Sequence, residues 1–272
     1  MRRRLLWALG VVVLLTVWLL WGNSALEVST FVIEDESLPP AFDGFRIAQV
    51  SDLHNAPFWD KVAEALEELE PDLIVLTGDL IDSSRTDVEA ALAFAQEAAE
   101  IAPCYYVSGN HEAWSPRHWD ALRKGLSRAG VVILEDEKAV LEREGETVNL
   151  LGLRDPAFGS DQASVLTALT AGEGYTILLS HRPERFEQYV GAGVDLVFTG
   201  HAHGGQFRIP FLGGLVAPDQ GLFPEFDAGL YEKNGTSMLV SRGIGNSIIP
   251  LRLNNRPEII LAELKFSIGI SQ

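Results

Sequence analysis

Apolar residues in this chain fall into one long run followed by many short ones. From Leu5 to Leu26 no side chain is charged, and Thr16, Asn23 and Ser24 are the only clearly polar ones. About 20 apolar residues cross the hydrocarbon core of a bilayer as a helix, so residues 1–26 predict a single N-terminal transmembrane helix. Beyond it, short β-branched stretches predict strands at 28–33, 45–50, 73–76, 104–107, 131–134, 139–142, 148–153, 176–179 and 195–198. Three more, at 229–233, 237–241 and 258–264, close the chain. Helical spacing predicts helices over 61–69, 86–101, 160–169 and 182–190, and another that begins at Ser115-Pro116. Thr86 or Ser84 is the expected cap of the second helix. Strand and helix alternate early and strands predominate later, which predicts an α/β fold with helices packed outside sheets. Residues 27–272 have the length for one such domain. The glycine- and proline-rich segment 209–229 is the least regular part.

Arg2, Arg3 and Arg4 precede the span, which favours a cytoplasmic N-terminus and a catalytic domain on the far side of the membrane. A cut near Ser24-Ala25, releasing a secreted domain, is the alternative, although no Ala-x-Ala site is present. The formal net charge is −17, and the remainder is more acidic still without those arginines. Such a field repels nucleic acid and anionic headgroups at long range, so no nucleic-acid partner is expected. A phosphate-bearing substrate then needs local positive charge, and metal ions supply it. The lone Cys104 rules out an intramolecular disulfide.

The chemistry gathers where strands end. Asp52 and His54, Asp79, Asn110 with His111, His181, and finally His201 and His203 each follow an apolar strand, and strand ends are where open α/β sheets build ligand sites. In Gly200-His201-Ala202-His203-Gly204, two imidazoles two residues apart can face one site. Alone, the pair is also what two surface histidines in a glycine-rich turn look like. Five of the six histidines nevertheless stand at such termini. Phosphoester hydrolysis needs a nucleophile at neutral pH and relief of charge on the phosphoryl oxygens, which paired divalent ions provide. A carboxylate can bridge two ions, and Asp79 is the natural bridge.

In Asp52-Leu53-His54, Gly78-Asp79-Leu80-Ile81-Asp82, Gly109-Asn110-His111-Glu112, Ser180-His181 and Gly200-His201-Ala202-His203, the chain resembles the calcineurin-like metallophosphoesterases. The Gly204-Gly205-Gln206 extension, the closing Ser241-Arg242-Gly243-Ile244-Gly245 and the N-terminal span resemble the bacterial membrane-associated branch typified by the YkuE and YaeI proteins. The resemblance implies a four-layer α/β/β/α sandwich and a metal-bridging hydroxide that attacks phosphorus. It implies one ion held by Asp52, His54, Asp79 and His203 and a second held by Asp79, Asn110, His181 and His201. The donors lack a thiolate, which suits Mn, Fe, Zn or Ni.

On this reading His111 donates a proton to the leaving oxygen or steadies the charge developing there, with Asp82 or a nearby acid orienting its ring; Asp82 supports a ligand or stabilises the turn near Ser83 and Ser84, and Glu112 caps or orients. Arg154 and Arg182 are candidates to clasp phosphate or diphosphate, surface ion pairs being the alternative. The expected substrates are phosphodiesters or diphosphates, including a lipid-linked nucleotide such as UDP-2,3-diacylglucosamine. A catalytically silent, membrane-tethered metal-binding scaffold is the reading from a different class. Phe207, Ile209, Phe211, Leu212, Leu215, Leu222, Phe223 and Phe226 could line a lip for acyl chains, but burial in the core is the commoner fate of such residues and the expected one.

Overall fold

In the computed structural model, residues 2–246 and 249–267 are described. Positions 1, 247, 248 and 268–272 of the expected anchor and domain lie outside them. The chain opens with α1 (Arg2–Gly22), whose apolar window has no buried residue. There follow β1 (Glu27–Asp35), β2 (Arg46–Val50), α2 (Trp59–Leu69), β3 (Leu73–Thr77), α3 (Val88–Ile101) and β4 (Cys104–Val107). Next come α4 (Asn110–Trp114), α5 (Pro116–Arg128), β5 (Val132–Ile133), β6 (Glu137–Arg143), β7 (Glu146–Gly152), α6 (Gln162–Leu169), β8 (Thr176–Leu179), α7 (Phe186–Gly191) and β9 (Leu196–Thr199). The irregular segment folds into two small ribbons, β10 (Arg208–Ile209) with β11 (Gly213–Gly214) and β12 (Val216–Ala217) with β13 (Gly221–Leu222). β14 (Gly229–Lys233), β15 (Thr236–Val240) and β16 (Glu258–Phe266) complete the chain.

Two six-stranded sheets carry the fold, in the orders β1-β16-β2-β3-β4-β5 and β14-β15-β9-β8-β7-β6. Strand alternation explains why they stack. In β3, Leu73 and Val75 enter the core between the sheets, whereas Ile74 and Leu76 enter the core under α2, α3 and α5. In β9, Leu196 and Phe198 face the same inter-sheet core, while Val197 joins a third cluster with Leu166, Phe186 and Tyr189. A strand buried on both faces must be apolar at every position. Three cores therefore separate four layers, helix, sheet, sheet and helix, as the resemblance implies.

Some boundaries differ from the sequence reading. α3 starts at Val88 with Asp87 as its cap, accepting the Ala90 N–H at 3.0 Å. Thr86 is used elsewhere, its hydroxyl donating to the Asp82 carbonyl at 2.8 Å. The region after His181 is a 3-10 turn at Pro183–Arg185 before α7, because Pro183 lacks the N–H that would continue a helix.

Candidate metal centre

β2, β3 and β4 run parallel, as do β8 and β9, so within each sheet their C-terminal ends share one edge. Asp52 and His54 follow β2, Asp79 follows β3, Asn110 and His111 open α4 beyond β4, His181 follows β8, and His201 and His203 follow β9. All eight are buried. The turns that hold them are strained: φ is 50° at Asp52, 45° at His54, 53° at Asp79, 64° at His201 and 48° at His203. That left-handed region is sparsely used by residues with a Cβ and costs about 1–3 kcal/mol each, so the surroundings must enforce it. Asp52 N–H donates to Gly78 O and His54 N–H to Asp79 O, both at 3.0 Å. Glycine is required where the loops touch. A Cβ on Gly200 would lie 2.5 Å from Asp52 Oδ2, and one on Gly109 would lie 2.7 Å from Asp79 N.

The donors converge in three overlapping groups, each within 4.8 Å: Asp52, His54 and His203; His54, Asp79 and His111; Asp79, His181 and His201. Asp79 Oδ2 stands 3.2 Å from His181 Nε2 and 3.6 Å from His54 Nε2, and Asp52 Oδ1 stands 3.4 Å from His203 Nε2. Two pairs of ring nitrogens, His54 Nε2 with His203 Nε2 and His181 Nε2 with His201 Nδ1, face each other at 3.2 Å. Buried lone pairs pressed together in this way suit a cation between them. Asn110 Oδ1 is buried with no hydrogen-bond partner among the described residues, a costly arrangement for a polar atom unless a ligand satisfies it. The donor set, imidazole, carboxylate and amide oxygen, fits divalent ions.

Hydrogen bonds around the cluster set the ring tautomers. His181 Nδ1 lies 2.7 Å from Thr77 O and must donate to it, which leaves Nε2 as the nitrogen that faces Asp79 and the cluster. His201 Nε2 meets Asp219 Oδ2 at 2.9 Å, which leaves Nδ1 facing the cluster. His111 is reversed. Its Nδ1 accepts the Ser83 N–H at 3.0 Å, so the proton of the neutral ring is on Nε2. Burial pushes the pKa of His54 down to about 3 and lowers those of His201 and His203, keeping these rings in the neutral form that coordinates metal. Burial would raise Asp79, but the His181 ring, whose pKa the Asp79 and Asp52 charges push up to about 10 against its own burial, holds the Asp79 carboxyl well below the usual range; coordination at Nε2 requires the proton held there to leave.

The remaining nominated residues lie as follows. Asp82 turns Oδ1 to the N–H groups of Ser84 and Arg85, and its Oδ2 is 3.9 Å from His54 Nδ1. The group that meets the His111 ring is thus Ser83 N–H rather than Asp82. Arg182 is buried, its Nε and Nη2 bonded to Asp155 at 2.6 and 3.0 Å, with Nη1 on Asp219 and 2.8 Å from His201 Nε2. Arg154 has Glu135 and the Phe158 ring as partners, outside the cluster. Glu112 accepts N–H bonds from Asp79, Gly109 and Ile81, and burial together with the Asp79 charge pushes its pKa up to about 8. The apolar residues after His203 are not core as expected. Phe226 is buried, but Ile209, Phe211, Leu212, Leu222 and Phe223 are exposed because the two short ribbons have no layer above them.

Three residues absent from the sequence reading also belong here. Asp219 and Asp155 clamp Arg182, and Arg252 is a buried cation donating to the carbonyls of Arg242 and Gly245 at 2.7 and 2.5 Å, with Nη2 3.5 Å from His203 Nδ1. Arg252 was detectable as a lone cation in the apolar run Ile249-Pro250-Leu251-Arg252-Leu253. Asp219 carried only a turn signal, Pro218-Asp219-Gln220-Gly221.

Residues 45–205 match the model of the calcineurin-like phosphoesterases. The chain is 30% identical to the uncharacterized metallophosphoesterase YkuE of Bacillus subtilis, over 88% of this chain and 86% of that one. It is 30% identical to the phosphodiesterase YaeI of Escherichia coli, over 81% of this chain and 82% of that one. A transmembrane protein with a metallophosphoesterase domain from Danio rerio is 31% identical over 85% of this chain, which spans 55% of that protein's length.

Proposed function

The chain belongs to the calcineurin-like phosphoesterase family, a hydrolase of ester bonds that uses divalent metal, and on that premise we propose that it is a two-metal phosphodiesterase tethered to a membrane by α1. The observation that carries this reading is the sharing of Asp79 between donor groups on its two sides. Asp52, His54, Asp79 and His203 hold one ion; Asp79, Asn110, His181 and His201 hold the other. Bound divalent ions supply a nucleophile at neutral pH and neutralise charge on the phosphoryl oxygens.

The chain's own groups do the rest. His111 presents Nε2–H as a hydrogen-bond donor that steadies the charge developing on the leaving oxygen, its ring fixed by Ser83 N–H. Thr77 O and Asp219 hold His181 and His201 in the tautomers that coordination needs. Arg182, neutralised by Asp155, holds Asp219, whose Oδ2 accepts from His201 Nε2, rather than standing free for phosphate. The arginines ahead of α1 favour a cytoplasmic N-terminus, which supports the reading of an extracytoplasmic catalytic domain. One observation favours a lipid-linked phosphodiester or diphosphate over a soluble one: a cavity of about 400 Å³ extends from His54 to Asn23, the residue that follows α1.

Turnover of bis-p-nitrophenyl phosphate by purified full-length protein, with Mn, Fe, Zn or Ni added, tests the activity. Metal-dependent hydrolysis that a chelator abolishes is expected. Absence of turnover on any phosphodiester with metal bound would contradict it.

A further inference from the structure

The exposed apolar ribbons stand close to the membrane helix. Segment 251–256 is fastened on one side to the end of α1: Asn23 exchanges two hydrogen bonds with the Arg252 main chain at 2.7 and 3.0 Å, and Arg256 donates to Ala25 O while lying over the Trp21 ring. On its other side the same segment is fastened to the first ribbon, through Arg208 N–H to Leu253 O at 2.9 Å and Asn254 Nδ2 to Arg208 O at 3.2 Å. Two residues of extended chain, about 7 Å, therefore separate the attachment of the helix from that of the ribbon. Phe211, in the turn of the first ribbon, is fully exposed and Leu212 beside it is 68% exposed; Leu222 and Phe223, at the end of the second ribbon away from its turn, are 70 and 61% exposed. Large apolar side chains exposed together on neighbouring ribbons mark a contact site.

The membrane helix identifies the occupant. Trp18 and Trp21, near the end of α1, line a cavity of about 240 Å³ where α1 meets the domain, and the arginines beside them are already paired, Arg242 with Glu27 and Glu258 and Arg252 with main-chain carbonyls. Tryptophan at the end of a span suits the headgroup layer of a membrane. We propose that the exposed apolar side chains of the two ribbons dock into the lipid surface beside α1, so that the domain lies on the bilayer with the Asp219 side of the metal centre close to the headgroups. This rests on α1 being a membrane span, but not on the catalytic reading.

The buried Cys104 is the chain's only cysteine, so single-site labelling is direct. Phe211→Cys, Phe223→Cys, Val12→Cys in α1 and Val140→Cys on β6 are each labelled with an environment-sensitive fluorophore. The full-length variants are then placed in nanodiscs of phosphatidylcholine and phosphatidylglycerol, with or without brominated acyl chains. All four native side chains are exposed, so the substitutions spare the core. Loss of fluorescence to brominated lipid is expected at 12, 211 and 223, with quenching by aqueous iodide at 140 alone. Lipid quenching at 12 with iodide quenching at 211 and 223 would overturn the docking and leave the tether intact. Protection of 211 and 223 from both quenchers would assign these side chains to a second copy or another protein, against the proposal. Iodide quenching at 12 as well would overturn tether and docking together.

Discussion

Glu112 Oε2 accepts the main-chain N–H of Asp79 at 2.9 Å, so the shared carboxylate of the metal centre is seated on a second, fully buried one. The same oxygen takes Gly109 N–H at 2.8 Å and Oε1 takes Ile81 N–H at 3.2 Å. In Glu112→Gln the amide nitrogen must oppose an N–H donor whichever way it is flipped. Leaving a buried donor unpaired costs about 1–3 kcal/mol. Chemical denaturation above the raised pKa of about 8, where Glu112 is ionised, is expected to show a loss of that size together with weaker metal binding; unchanged stability and metal content there would show that the two loops do not depend on this residue.

His111 is assigned a hydrogen bond to the leaving oxygen rather than coordination. His111→Ala is expected to keep its bound metal while turnover falls about 100-fold or more. Metal analysis beside steady-state kinetics separates the two roles, and loss of an ion would make His111 a ligand.

Asp219 reaches His201 from a loop and its side chain is 57% exposed. Removing an outer partner of a metal-binding histidine typically costs 10–100-fold in metal affinity or activity, and exposure places this one near the lower end. Titration of metal into Asp219→Ala is expected to show roughly tenfold weaker binding, whereas Asp219→Glu recovers part of it. Equal affinity in wild type and Asp219→Ala would contradict the role.

Burial, with the Asp35 charge behind it, raises the Asp195 carboxyl from 3.8 to about 6 in the folded chain. A raised carboxyl favours folding while it is protonated, so its contribution is full below 3.8 and is lost as pH rises to about 6. Asp195→Asn keeps an oxygen for the Thr176 N–H that Asp195 accepts at 2.6 Å. The variant is expected to be more stable than wild type at pH 7 and to lose that advantage near pH 4. Denaturation at the two pH values checks this, and an advantage independent of pH would contradict it.

The layers and the positions of the clustered histidines and aspartates were legible in the sequence for one reason. Strands buried on both faces are apolar throughout, so a histidine or aspartate just past Val50, Thr77, Leu179 or Thr199 stands out against them. What supports those side chains was not legible. Thr77 O and Ser83 N–H are main-chain groups and leave no mark in the residue pattern. Asp219 joins His201 from a segment without periodicity, and Arg252 reaches His203 across 49 positions. The fate of Phe211 and Leu222 was misread because apolarity identifies residues that avoid water, whereas only the three-dimensional layers determine which of them are covered.

The central claim is that Asp79 joins two ion sites. Elemental analysis of full-length protein equilibrated with divalent metal tests it most directly, comparing wild type, Asp79→Ala, His203→Ala and His201→Ala. About two ions per chain are expected for wild type, about one for each histidine variant and almost none for Asp79→Ala. Retention of the wild-type metal content by Asp79→Ala would contradict the account.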